Sequence, residues 1–224
     1  MTRSYLVVVL CAVAGAHLLL ETPLQAELAN YRGLQFGMNL AAAAKRTGLR
    51  TSDARFVQQR PALIQEMDWQ PRSMPMADPV RDAVLSFLNG ELYRIVVTYD
   101  RYKIEGLTTD DVVEGISVNY RTATKPVAEI AYRSIYGQTG IVIARWEDPQ
   151  YSYDLVRTGD GTSFAMVLYS KGLEAAAQAS ILEAARLDLQ EAPQREMDKQ
   201  RKLDEGRRLD LEKSRTVNKP NFRP

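Results

Sequence analysis

Few side chains in this chain could do chemistry, and most of those are acids. Asp110, Asp111 and Glu114 follow Thr108 closely, and Glu147 and Asp148 come directly after Trp146. Two carboxyl groups roughly 5 to 10 Å apart can protonate a glycosidic oxygen while the second attacks or activates a water. These residues are therefore the candidates for a hydrolase or lyase acting on carbohydrate or cell-wall material. The competing reading is structural, because acids in the first turn of a helix are favoured by its dipole and by capping. Asp148-Pro149 likewise fits ordinary turn chemistry. Gly159-Asp160-Gly161 has neither a P-loop lysine nor Rossmann spacing and reads as a turn.

The nucleophile and metal-ligand inventory is shorter still: one cysteine, Cys11, and one histidine, His17. Both lie in a leader. Arg3 precedes an apolar run from Tyr5 through Ala16, and small residues follow at Ala14-Gly15-Ala16 and at Ala26. This pattern describes a secretory signal peptide over residues 1–26. The rival is a retained anchor, since Leu18 to Leu20 prolong the run, although a spanning helix needs roughly 20 continuous apolar residues. Cys11 follows Leu10, where a lipoprotein signal has a small residue. Cleavage after Ala26 leaves a mature protein with no thiolate, imidazole base, disulfide or His and Cys metal ligand. Cleavage after Ala16 would instead make His17 the N-terminal residue, without the second histidine that a copper site there requires.

The expectation is a periplasmic or secreted bacterial protein, not an enzyme, with no cofactor, no metal and no membrane span once the signal is removed. The 29 basic and 28 acidic residues give a net charge of +1, which supplies no electrostatic reason to expect nucleic acid. What remains to work with is surface. Tyr93, Tyr99, Trp146, Tyr151 and Tyr153 fall in predicted strands, with Tyr102, Tyr132, Tyr136 and Tyr169 in or beside others. They read either as an aromatic face that binds another protein or as the packing of a half-covered sheet. A small-ligand carrier using a groove between two units is a further alternative.

The elements that must position these residues centre on Ala83 to Tyr99, two strands joined by Asn89-Gly90, the strongest short hairpin signal. In plain register Phe87 faces Leu92 and Val84 faces Ile95. Apolar residues then fall on both faces, so either both faces are covered or a bulge shifts the register. Asn39 caps a short helix over Leu40 to Arg46 that ends at Gly48, and Thr108 with Asp111 caps a second with Val112, Val113, Ile116 and Tyr120 on one stripe. Arg50 to Arg60 is polar. Ala62 to Trp69 reads as a strand with Leu63, Met67 and Trp69 inward, and Gln70 to Val80 reads as a loop. Later strands are predicted at Val127 to Ile135, Ile141 to Trp146, Tyr151 to Arg157 and Ser163 to Tyr169.

The fold class is therefore α+β: an antiparallel sheet of about six to seven strands with two short helices on one face. The sequence Gly37-Met38-Asn39-Leu40 parallels Gly106-Leu107-Thr108-Thr109, each opening a helix that strands follow. Residues 27–170 can thus be read as one domain of two tandem helix-plus-meander repeats, 33–102 and 103–170, or as a chance likeness within one α+β domain. Residues 171–215 form a charged helical extension whose Leu173, Ala177, Ile181, Ala185 and Leu189 make a stripe able to dock. Pro193 interrupts it, and Glu191 with Arg195, Asp198 with Lys202 and Asp204 with Arg208 stand four apart beyond it. Leu203, Leu209 and Leu211 sustain no heptad. Residues 216–224 read as a flexible tail.

The Gly-Met opening, the capped helix and the meander resemble the small bacterial envelope domains of the SmpA/OmlA (outer-membrane assembly lipoprotein) kind. Two such units in tandem are similar to the β-lactamase inhibitor protein fold. The resemblance covers Gly33 to Tyr169. It implies binding of other proteins by a sheet face, and it carries no site residue across.

Overall fold

In a computed structural model of the chain, which describes residues 28–71, 78–120, 122–133, 139–158, 163–221 and 223, Asn89 and Gly90 take positive φ of 50° and 87°, as a tight hairpin requires. The predicted leader, with Cys11 and His17, lies outside the described residues. The hairpin joins β5 (Val80–Leu88) to β6 (Glu91–Tyr99), with Phe87 opposite Leu92 and then Ser86 opposite Arg94. Tyr93 is the extra residue of a β-bulge, which resolves the conflict of faces in the plain register. Leu92 and Ile95 both reach the main core, while Tyr93 turns to the opposite side with Ile64, Leu88 and Ala177.

The hairpin sits inside an eight-stranded antiparallel sheet, more than the six or seven strands expected. Its order is β3-β4-β5-β6-β10-β9-β8-β7. The remaining strands are β3 (Arg55–Gln58), β4 (Ile64–Trp69), β7 (Ile130–Arg133), β8 (Thr139–Glu147), β9 (Tyr151–Thr158) and β10 (Phe164–Ser170). Each half of the sheet is a four-strand meander preceded by a helix, α1 (Leu40–Thr47) or α2 (Thr109–Tyr120), and the halves join where β6 pairs with β10. Asn39 Oδ1 accepts from Ala42 N at 2.8 Å, Gly48 closes α1 with φ 72°, and Thr108 and Asp111 bond reciprocally at the start of α2.

The extra strand is β3, in the polar segment 50–60. It lies at the sheet edge, where alternation of apolar residues is not demanded, and is held by ion pairs from Arg55 to Glu66 and Asp68 on β4. Ahead of α1, β1 (Asn30–Tyr31) and β2 (Leu34–Gln35) form a separate two-stranded ribbon that buries Tyr31 and Leu34 in the core. In β4 it is Ile64 that is buried, with Met67 and Trp69, whereas Leu63 is only half-buried.

The main core lies on the front of the sheet, under α1, α2 and the ribbon. On the back lies α3 (Lys171–Asn218), which follows β10 directly and packs Ala177 against Ile64, Leu88 and Tyr93, with Leu173 and Ile181 beside them. The helix continues through Pro193, where an interruption is expected. Arg195 bridges that turn, donating from Nη2 to the Asp188 carbonyl at 2.7 Å and to its carboxylate at 3.1 Å. The helix also reaches Asn218 and then a 3₁₀ turn at Lys219–Asn221, inside the stretch read as a flexible tail.

Candidate functional site

The five aromatic candidates do not form one exposed surface. Trp146 and Tyr153 are buried in the front core, where Trp146 Nε1 donates to Ser117 Oγ at 3.2 Å and Tyr153 OH donates to the Asn30 carbonyl at 3.2 Å. Tyr99 and Tyr151 are half-buried against that same core, Tyr151 stacking on Phe36 with ring centres 5.6 Å apart. Tyr93 alone faces the back, and α3 covers it. Burial pushes the Tyr93 phenol up to about 12 despite the opposing Arg94 charge, and pushes those of Tyr99 and Tyr153 higher still. The structure thus brings Tyr99, Trp146, Tyr151 and Tyr153 together on the front, as packing, and separates Tyr93 from them.

The acids are also tied locally. Asp111 accepts from Thr108 N and Oγ1, both at 2.7 Å, and these bonds hold its carboxyl below the usual range, the reverse of what a proton donor needs. Asp148 Oδ1 accepts from Gln150 N and Tyr151 N at 2.7 Å each, closing the β8–β9 turn. Glu147 is exposed and pairs with Lys171 Nζ at 2.6 Å, while Asp110 and Glu114 are exposed on α2. No cluster of three or more His, Cys, Asp or Glu able to hold a metal occurs among the described residues.

Two surfaces remain. The first is the back of the C-terminal half-sheet, where Val142, Val156 and Val167 are ringed by half-buried Val96, Ile130, Tyr132 and Tyr169. Beside them Arg145 grips Asp154 in a two-pronged pair at 2.7 and 2.8 Å, and Ser152 Oγ and Tyr169 OH also donate to that carboxylate. Among the described residues, no helical side chain joins this cluster. The strand readings at Val127 to Ile135, Ile141 to Trp146, Tyr151 to Arg157 and Ser163 to Tyr169 contain most of these residues, but which face α3 covers depends on long-range docking that local pattern does not encode.

The second surface is the distal part of α3. Its near part is fastened by the Arg94–Glu174 pair, by Gln58 Nε2 donating to Ser180 Oγ at 2.6 Å, and by Arg60 with Glu191 at 2.5 Å. The last of these takes Glu191 away from its expected partner Arg195. Beyond residue 191 no side chain of the helix is buried. Asp198 pairs with Arg201 and Asp204 with Arg207, three residues on rather than four. Leu182, Leu189, Met197, Leu203 and Leu211 are 72, 77, 60, 56 and 65% exposed. They stand seven, eight, six and eight residues apart, close to the roughly 7.2 residues of two helical turns, so they line one side of the helix.

The expected docking stripe of Leu173, Ala177, Ile181, Ala185 and Leu189 fails at its far end for a geometric reason. A spacing of four drifts about 40° per step around a helix, so Leu173, Ala177 and Ile181 dock while Ala185 and Leu189 have turned to solvent. No helix among the described residues is long and apolar enough to cross a membrane. Compared with models of known protein families, with curated proteins and with solved structures, the chain matches none.

Proposed function

We propose that this chain is an exported, non-enzymatic scaffold that binds another protein, with α3 as the arm that makes the contact. The observation that carries the reading is the arm itself. A helix of 27 residues, about 40 Å long at 1.5 Å per residue, runs from residue 192 to Asn218 without a buried side chain. Pairs worth roughly 0.2 to 0.5 kcal/mol each leave such a helix marginal in isolation. On it Met197, Leu203 and Leu211 continue the line begun by Leu182 and Leu189, the form of an amphipathic helix that lies in a partner's apolar groove.

Export rests on the leader at 1–26. The arrangement of helix and four-strand meander, twice over, supports the tandem-repeat reading and the expected kinship of plan with envelope domains that bind proteins through a sheet. The half-buried rings of Tyr132 and Tyr169, at the rim of the buried valine cluster on the back of the C-terminal half-sheet, lie on the face from which α3 starts and could extend the contact. The carboxylate-hydrolase reading loses support, because Asp111, Glu147 and Asp148 are each engaged in a local bond.

The test is affinity capture from an envelope or secretome extract with the full chain and with a chain ending at Gln194. A defined partner retained by the first and lost by the second is expected. Equal capture by both, or none by either, contradicts the proposal.

A further inference from the structure

A cleft of about 530 Å³ opens on the front of the molecule between α2, the β1–β2 ribbon and the ends of β5 and β6. That volume is in the range of small-molecule sites. Tyr31, Tyr99, Tyr120 and Met166 are among the residues that line it, Tyr31 and Met166 with little of their surface exposed. Rings and a polarisable sulfur favour a flat ring between them.

Two features narrow the occupant. Tyr99 OH donates to Met166 Sδ at 3.3 Å, and a thioether is a weak acceptor, so a strong donor in the cleft is without an oxygen partner of matching strength. The charged groups of the lining are already engaged. Arg32 donates from both Nη atoms to Asp78 at 2.6 and 3.0 Å, and Asp111 accepts from Thr108. An ionic ligand would enter a cleft whose two charged residues are already paired, and would find no free counter-charge among its lining residues.

A third feature concerns space. Gly115 stands in the middle of α2 and lines the cleft, yet a Cβ added there would meet nothing within 4 Å. Glycine weakens a helix relative to alanine, and no neighbouring atom demands it here. An occupant of the cleft would.

We propose that this cleft binds a small, neutral ring compound bearing a hydrogen-bond acceptor oxygen, of the aromatic ketone class, with Tyr99 donating to that oxygen and Gly115 leaving room for the ring. The site is separate from the arm and stands or falls independently of the protein-binding reading.

The experiment is an NMR titration of the full-length protein with acetophenone, ethylbenzene and benzoate, which share a ring and differ in oxygen and charge. Saturable shifts confined to Tyr31, Tyr99, Gly115, Tyr120 and Met166 are expected with acetophenone. Ethylbenzene should bind about fivefold more weakly, the value of one ordinary hydrogen bond, and benzoate more weakly again. Tyr99→Phe should bring acetophenone down to the affinity of ethylbenzene, and Gly115→Leu should abolish binding of both without lowering the melting temperature. Should Gly115→Leu not fold, Tyr99→Phe, which removes a single hydroxyl, decides the matter. Shifts that do not saturate or that scatter over the surface, tighter binding of benzoate, or unchanged acetophenone affinity in Tyr99→Phe would overturn the proposal.

Discussion

Residues 171–191 and residues 192–218 belong to one continuous helix, yet the two parts are held in opposite ways. The near part buries Ala177 and Ser180 and reaches the sheet through Arg94–Glu174, Gln58–Ser180 and Arg60–Glu191. The far part buries nothing and is supported by pairs three residues apart along its own surface. Tertiary packing, which supplies most helical stability in proteins, is therefore present in one part and missing in the other. The near part thus belongs to the fold, while the far part stands off it with its side chains in solvent.

The sharpest way to break this contrast is to remove what the near part sits on. Tyr93→Ala empties a fully covered site between the bulge and α3 and should cost about 4 kcal/mol in urea unfolding, in the usual range for a buried aromatic. Arg94→Ala leaves the half-buried Glu174 carboxylate without its cation, with Gln178 as its remaining donor, and should cost about 3 kcal/mol by the same measurement.

Alkali probes the same region. The Tyr93 phenol titrates near 12 in the folded chain against an ordinary 10, so its contribution is fully present below pH 10 and is lost as pH rises from 10 to 12. Two units amount to about 2.7 kcal/mol at most from that group, with Tyr99 and Tyr153 shifting the same way. Unfolding monitored against pH should show the loss, and Tyr93→Phe should reduce it.

In the far part, Leu203→Ala with Leu211→Ala should move stability by less than about 0.5 kcal/mol, as exposed substitutions do. A comparable loss to that of Tyr93→Ala would mean that the arm is folded onto the domain. The smallest effect is that of salt. Screening the pairs from Glu196–Lys199 to Asp210–Lys213 should lower the arm's helicity by a few tenths of a kcal/mol per pair in circular dichroism, and leave the sheet unchanged.

Much of this architecture was legible from local signals. The Asn89-Gly90 turn, the Asn39 and Thr108 caps, the Gly48 stop and the stripe on α2 are each decided by a few neighbouring residues, and each stands where those residues place it. What local pattern missed was decided at long range. Strand β3 owes its place to partners on β4 rather than to its own apolar residues, and the helix runs on through Pro193 with Arg195 reaching back past it to Asp188. The aromatic candidates show the same limit. A tyrosine in a strand points to one face or the other, but only the docking of α1, α2 and α3 determines that Trp146 and Tyr153 become interior on the front and Tyr93 interior on the back.

The most direct test of the arm as the working surface is site-specific photo-crosslinking in the intact cell, with the reactive residue placed at Met197 or Leu203 on the exposed line and at Lys202 on the other side of the helix. One discrete adduct from positions 197 and 203, with none from 202, is the predicted result. Adducts of equal yield from all three positions, or from none, would contradict the account.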